Sequence, residues 1–348
     1  MSRRLRKPGR LQRNDVVAVL SPSKGLPNEF PQVYELGIRN LKETFGLIPK
    51  EYPTARADPR YLYQNPKMRA KDVNDAFADP EVRAIIASIG GDESVRILPY
   101  LNREIIADHP KVLMGYSDIT TLLTYCRQLG LVTFHGPTVM SGFSQLSNLP
   151  RAFTDHIKDL LFNPQPTYTY RHYDAFSDGY PDWSNAANLG KVNQPKDNQG
   201  WVWLQGNSRV NGELFGGCIE VLEFMNGTKY WPSPDFWEGK ILFLETSEEK
   251  PSLVSVERWL RNFGMQGVFD KVKALLFGRA RDYSDQEKKQ LESTIVSVVA
   301  QEFNHPEIPV IANMDFGHTE PQFILPLGVE AEVDCQSKKF RLLENAVL

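Results

Sequence analysis

The spacing of apolar residues divides the chain into two α/β stretches separated by a polar, proline-containing segment. Residues 15–20 (DVVAVL) form a β-branched run that ends in the loop residues Ser21, Pro22 and Ser23. Residues 31–45 carry Val33, Leu36, Ile38 and Leu41 at helical spacing. Residues 67–77 predict a helix closed by Asp79 and Pro80, and residues 82–89 (VRAIIASI) a buried strand running into Gly90 and Gly91. Residues 111–115 (KVLMG) predict another strand, and residues 119–129 a helix stopped by Gly130. Strands alternating with helices imply a parallel sheet with helices on its faces.

Residues 163–200 break this pattern, with four prolines, few aliphatic residues and many Asn, Gln, Asp and Tyr. Such a stretch predicts a connector or surface flap. The α/β pattern then resumes. Residues 209–217 (RVNGELFGG) predict a strand with a glycine turn, 218–224 the start of a helix, and 240–245 (KILFLE) a strand. Residues 251–263 predict a helix with proline at its start. A strand over 272–277, a long helix over 285–303, a strand over 308–314 and a hairpin over 329–343 complete the pattern. The expected division is an N-terminal α/β domain over 1–165, a connector or flap over 166–203, and a smaller C-terminal α/β domain over 204–348.

Composition narrows the partners. The 348 residues carry a formal net charge of -3, so no basic footprint points to a nucleic-acid polymer. A basic run at the start (Arg3, Arg4, Arg6, Lys7, Arg10, Arg13) reads as a solvated, frayed tail. It is not followed by the apolar stretch of an export signal, and no run is long enough to span a membrane. Cys126, Cys218 and Cys335 are odd in number and widely spaced, which fits neither a disulfide framework nor a zinc site. A cytoplasmic setting is expected.

Three features carry candidate chemistry, each just beyond the C-terminal end of a predicted strand, where ligands bind in open α/β sheets. The first is Gly115-Tyr116-Ser117-Asp118-Ile119, a strand–serine–helix turn like that of a nucleophile elbow. Ser117 as a simple helix cap is the alternative. The second is Gly90-Gly91 after a buried strand. Backbone amides of Gly91 and Asp118 would supply the two donors that a tetrahedral oxyanion needs. A plain turn or a phosphate loop is the alternative there. The third is a pair, Glu245 at the end of an apolar strand and His318 after Gly317. A serine hydroxyl needs a base, and that base needs a carboxylate to fix its tautomer. His135, in FHGP, is the rival histidine; His109, His156, His172 and His305 read as surface residues. Cys218 after Gly216-Gly217 is a rival thiol nucleophile or a small buried residue. A two-domain small-molecule binding protein would explain the halves and the connector but not the Ser-Glu-His set.

The sequence resembles the LD-carboxypeptidases and microcin C immunity proteins, a serine-peptidase family. The matching segments are DVVAVLSPS, MRAKDVNDAFADPEVRAIIASIGGDES, LMGYSDIT, FHGP, GELFGGCIEVL, ILFLETSEE and DFGHTEPQFILPLG, in order through most of the chain. The resemblance implies Ser117 as nucleophile, His318 as base and Glu245 as its orienting acid, with Gly91 and Asp118 as oxyanion donors and no metal or cofactor. It implies an N-terminal domain resembling class I glutamine amidotransferases, a smaller C-terminal domain, an active site between them and a homodimer. Two substrate classes follow: murein tetrapeptides in cell-wall recycling, or the amide joining a peptidyl aspartate to a modified nucleotide. Tyr and Trp residues cluster over 168–203 (Trp183, Trp201, Trp203). They would stack on a nucleobase, with Trp183 and Gly90 binding substrate, or else pack the domain interface.

Overall fold

Two sheets organise the chain in the computed structural model, which describes residues 5–348. The first has the order Leu325–Leu327, Thr133–His135, Val112–Gly115, Val82–Ala87, Val16–Leu20, Ile48–Glu51. All its pairings are parallel except that of Leu325–Leu327 with Thr133–His135. The second is eight-stranded and mixed. Its centre is the parallel set Arg209–Cys218, Lys240–Glu245, Ala274–Gly278 and Val310–Met314. The antiparallel hairpin Glu330–Asp334 and Lys339–Leu342 extends one side, and Val202–Gln205 closes the other. The protein is therefore an α/β fold with a parallel-sheet N-terminal domain and a second α/β domain.

The central strands are near-continuous apolar runs because both faces are covered, as parallel sheets require. All six residues of Lys240–Glu245 are buried. Truncating Leu244 to Ala there would cost about 2–5 kcal/mol and loosen the seat of its neighbour Glu245. Leu325–Leu327, from late in the chain, crosses back to pair with the first sheet. This ties the two domains together immediately after the His318 loop.

Several elements depart from expectation. Pro251 precedes the helix Leu253–Met265 rather than opening it, because Ser252 is its N-cap and accepts from the Ser255 amide. The long helix is α-helical over Asp285–Val296 and ends in a π turn, Ser297–Glu302. The strands Ile48–Glu51, Thr133–His135 and Leu325–Leu327 carry too few residues to register as periodic patterns or lie beside prolines, whereas the helix Arg151–Leu161 carries Phe153, Ile157, Leu160 and Leu161 at helical spacing, a pattern the expectation did not include.

The basic start is docked, not frayed. Arg6 donates to the Ala107 carbonyl at 2.6 Å and pairs with Asp108, and Lys7 pairs with Glu344 at 2.7 Å. Leu11 is buried. Arg3 and Arg4 lie outside the described residues. The proline-containing segment is a structured strap. Tyr168–Thr169 pairs with Lys339–Leu342, and Tyr170, Tyr173 and Phe176 are buried. Backbone bonds between Ser177 and Glu320 pin the strap to the His318 loop. Among the described residues, no helix is long and apolar enough to cross a membrane.

Candidate active site

Ser117 follows the strand Val112–Gly115 and opens a single 3-10 turn, Ser117–Ile119, that leads into the helix Thr120–Gln128. Its φ is +59°, a left-handed conformation that a non-glycine residue adopts at a cost of order 1–3 kcal/mol. The cap alternative fails, because neither the 3-10 turn nor the helix has a side-chain cap bond. Ser117 stands instead against the Gly90-Gly91 loop. A β-carbon at Gly90 would lie 2.7 Å from Ser117 Cβ and 2.9 Å from its Oγ, so only glycine permits this approach.

The side chain of Asp118 clamps the turn, a role that motif reading gave only to its amide. Its Oδ2 accepts from Ser23 Oγ at 2.5 Å, the Glu93 amide at 3.0 Å and the Ser94 amide at 2.7 Å. Ser94 Oγ returns a bond to the Asp118 carbonyl at 2.7 Å. Three loops from the first sheet are thereby fixed around one serine. Buried Arg69 supports the same loop, binding Glu93 and the Pro22 carbonyl at 3.2 Å each.

The second domain brings the imidazole. His318 Nδ1 lies 2.7 Å from Glu245 Oε2, and both side chains are buried. Gly317, at φ +97°, allows this: a β-carbon there would sit 2.7 Å from Glu245 Oε2. The loop is anchored from beneath by the buried Arg279–Asp315 pair at 2.8 Å. Asp315 also accepts from Trp201 Nε1 and Asn198. The other ring nitrogen, Nε2, sits 2.9 Å from Glu248 Oε2. That is ion-pair distance, but off the line a hydrogen bond needs, so Nε2 has no hydrogen-bond partner. Burial works to lower the His318 pKa, yet the flanking Glu245 and Glu248 carboxylates overcome it and raise the value to about 10. Burial opposes ionisation of Glu248 too, but His318 holds its carboxyl down at about 2.

Ser117, His318, Gly90, Gly91 and Trp183 line one cleft of about 330 Å³. Glu245 lies behind it, against His318. The strap supplies the outer wall: Trp183 stacks on Tyr180 with centroids 5.2 Å apart and meets Phe30 edge-on at 5.7 Å. Tyr180 also joins a polar chain, Ser141 Oγ to Tyr116 OH to Tyr180 OH to Glu320 Oε1, at 2.8, 3.0 and 3.3 Å. Burial raises the Glu320 carboxyl to about 7. Trp201 and Trp203 do not line the cleft and pack on the second domain instead, Trp201 against Phe323 and Phe340 and Trp203 on the strand Val202–Gln205. A larger cavity, about 720 Å³, lies between the helix Arg151–Leu161 and the strap, but no member of the Ser-Glu-His set lines it.

The rivals fall away on their surroundings. His135 is buried with neither nitrogen hydrogen-bonded, and burial lowers its pKa to about 3. Cys218 is fully buried and its thiol pKa is raised well above the ordinary value. His156, read as a surface residue, is buried between Tyr168 OH and the Ile324 amide, at 2.7 Å from each. Sequence reasoning missed Glu248, Lys24, Arg281, Tyr180 and Phe30 as cleft residues. Two of them carried a visible signal: Glu248 in the extra acids following Glu245 in LETSEE, and Tyr180 in the aromatic cluster over 168–203. Among the described residues, no group of three or more His, Cys, Asp or Glu is arranged to hold a metal ion.

Ser117 and the Gly90-Gly91 loop of one α/β domain thus share a cleft with the Glu245-bound His318 of the other. Residues 17–136 match the LD-carboxypeptidase N-terminal domain and residues 211–333 the LD-carboxypeptidase C-terminal domain. The chain belongs to the LD-carboxypeptidase family, which also contains the microcin immunity protein MccF. It is 30% identical to the microcin self-immunity protein MccF of Escherichia coli over 283 residues, 80% of this chain and 79% of that one. It is 26% identical to the "Probable murein peptide carboxypeptidase" of Bacillus subtilis over 95% of this chain and 92% of that one. The solved structure of MccF in complex with aspartyl sulfamoyl adenosine superposes with a TM-score of 0.85 at 26% identity, covering 99% of this chain and 100% of that one.

Proposed function

We propose that the protein is a serine-type amidase that cleaves a peptide-like amide through an acyl-enzyme. The observation that carries this reading is the 2.7 Å contact of His318 with buried Glu245 in a cleft shared with Ser117. His318 Nε2 takes the Ser117 proton as Oγ attacks the amide carbonyl. The amides of Gly91 and Asp118 hold the oxyanion, His318 protonates the leaving amine, and water releases the acyl group. Glu245 fixes the ring tautomer and balances the imidazolium charge.

The aromatic wall of Phe30, Tyr180 and Trp183 favours a leaving group with a planar ring, such as the nucleotide of an aminoacyl or peptidyl nucleotide amide, the chemistry that MccF's bound analogue resembles. A second reading, murein tetrapeptide LD-carboxypeptidase, is favoured by Lys24 and Arg281 in the same cleft, which suit a terminal carboxylate. Parallel assays on an aspartyl-adenylate-type amide and an L,D-linked murein tetrapeptide separate the two. Release of nucleotide alone supports the first, release of D-alanine alone the second, and release of neither from pure protein refutes the amidase reading. The proposal also includes a cytoplasmic homodimer, checked by sedimentation and fractionation. Its functional parts are residues 1–165 bearing the nucleophile, 166–203 gating substrate, and 204–348 bearing Glu245 and His318.

A further inference from the structure

A fourth strand end reaches the cleft, and it brings an arginine. The strand Ala274–Gly278 runs out into Arg279, Ala280, Arg281 and Asp282. Arg279 turns under the His318 loop, where Asp315 and Asn313 bind it at 2.8 and 3.1 Å. Arg281 instead lines the cleft with Ser117 and His318. Its side chain is only 17% exposed, and the strap makes its seat. A β-carbon at Gly179 would lie 2.4 Å from Arg281 Cζ and 2.6 Å from each Nη, so the guanidinium lies flat on bare glycine backbone. Gly179 has φ +73°, a conformation that favours glycine for a second reason. The turn below is pinned as well. The Asp282 amide donates to Asp178 Oδ1 at 3.3 Å, and buried Asp178 pairs with Lys196 at 2.5 Å.

The seat engages one donor of the guanidinium. Nε donates to Asp282 Oδ2 at 3.2 Å, and Asp282 is the only ion-pair partner of Arg281 among the described residues. Nη1 and Nη2 make no hydrogen bond among the described residues, and neither is sealed from solvent. A planar fork with both ends unengaged matches two oxygens of a carboxylate or a phosphoryl group. Lys24, the other cation lining the cleft, is half-exposed and pairs with Asp92 at 3.3 Å, so it offers a loose charge rather than a seated fork. Glu248 does not take up the fork, since its carboxylate lies 2.9 Å from His318 Nε2. Arg281 is nonetheless near that contact: burial opposes ionisation of Glu248, and His318, with Arg281 after it, holds the carboxylate ionised.

We propose, resting on the reading of Ser117 and His318 as nucleophile and base, that Arg281 is a specificity residue whose Nη1–Nη2 fork binds an oxyanion carried by the leaving amine of the substrate. The strap sets the side. Adjacent residues present Gly179 to Arg281 and Tyr180 to the aromatic wall, with Arg281 Cζ 5.9 Å from the centre of the Tyr180 ring. Anion and planar ring therefore belong to the same half of the substrate. Two amides meet this demand: an adenylate-type amide carries a phosphoryl group on its leaving nitrogen, and a murein tetrapeptide carries a carboxylate on its leaving D-alanine. The contact is indifferent to whether the acyl half ends in a free or an acylated amino group.

Calorimetric binding to the full chain bearing Ser117→Ala tests this without turnover. Two ligand pairs differ only in the anion: AMP against adenosine, and an L,D-linked murein tetrapeptide against its C-terminal amide. The anionic member of at least one pair should bind tighter by about tenfold or more, and that pair names the source as phosphoryl or carboxylate. Adding Arg281→Gln should remove the preference by weakening the anionic member alone. Arg281→Lys, which keeps the charge but not the fork, should retain part of it. No preference in either pair, a preference that survives Arg281→Gln, or equal weakening of both members overturns the proposal. Should Arg281→Gln not fold, Arg281→Lys decides, and an undiminished preference there overturns it. Absence of hydrolysis of both full amides by wild type refutes the amidase reading, while the binding comparison still decides the anion site.

Discussion

His135 and His318 are two buried histidines that both meet Tyr116 edge-on, with ring centroids 6.2 Å and 4.8 Å from it. His135 ends a strand of the first sheet among Phe243 and Phe316, and burial brings its pKa to about 3. His318 is equally buried, but Glu245 and Glu248 raise it to about 10. Burial penalises the charged ring in both places, and the carboxylates decide the sign. A neutral ring with unpaired nitrogens among aromatics is packing. A ring held by a buried acid is equipped to store a proton during catalysis.

Replacing each histidine in turn is the strongest way to break this contrast. His318→Ala should lower kcat by about 10⁴-fold or more, as should Ser117→Ala, with the fold intact by circular dichroism. His135→Leu should stay within about tenfold of wild type, since it exchanges one buried ring for an apolar side chain of similar size. Equal losses at both positions would erase the distinction.

Glu245→Gln comes next. The amide keeps the contact but not the charge, so kcat should fall by about 10²–10⁴-fold in steady-state assays, less than for Ser117→Ala. A loss under tenfold would remove Glu245 from the mechanism.

Acidity sharpens the contrast. The free protein needs neutral His318, so kcat/KM should climb from about pH 6 to about pH 9, because the controlling pKa is raised to about 10. Stability has opposite signs at the two sites. His318, raised from 6.5, contributes stability that is full below 6.5 and lost as pH rises through about 10. His135, lowered from 6.5, contributes stability that is present above 6.5 and lost as pH falls towards about 3. Urea melts across pH should therefore show His135→Leu resisting acid better than wild type.

The smallest expected effect is at the strap. Trp183→Ala should weaken binding of an adenylate-type amide by about 1–3 kcal/mol, read as KM, and affect a murein tetrapeptide far less. Equal effects on both would reduce the aromatic wall to scaffold.

Much of this was legible in the sequence. The strand Lys240–Glu245 and the helix Pro31–Phe45 match their expected limits, because long apolar or periodic runs dictate one structure. The candidate site was legible as three strand ends, since topology in α/β sheets gathers such ends into one crevice. What escaped was whatever depends on contacts distant in sequence. The three-residue strand Leu325–Leu327 has no period of its own and is defined by its partner Thr133–His135. His156 looked like a surface residue because its burial comes from Phe323 and Tyr168. The Glu248 contact with His318 joins residues 70 positions apart, and a run of acids does not say which one turns inward.

The account stands on Ser117 being a nucleophile activated by His318, and a fluorophosphonate probe with peptide mapping tests that directly. The account predicts label on Ser117 in wild type and none at that position in Ser117→Ala, with labelling slowed by at least about 10²-fold in His318→Ala. Label absent from Ser117, or labelling in His318→Ala as fast as in wild type, would contradict it.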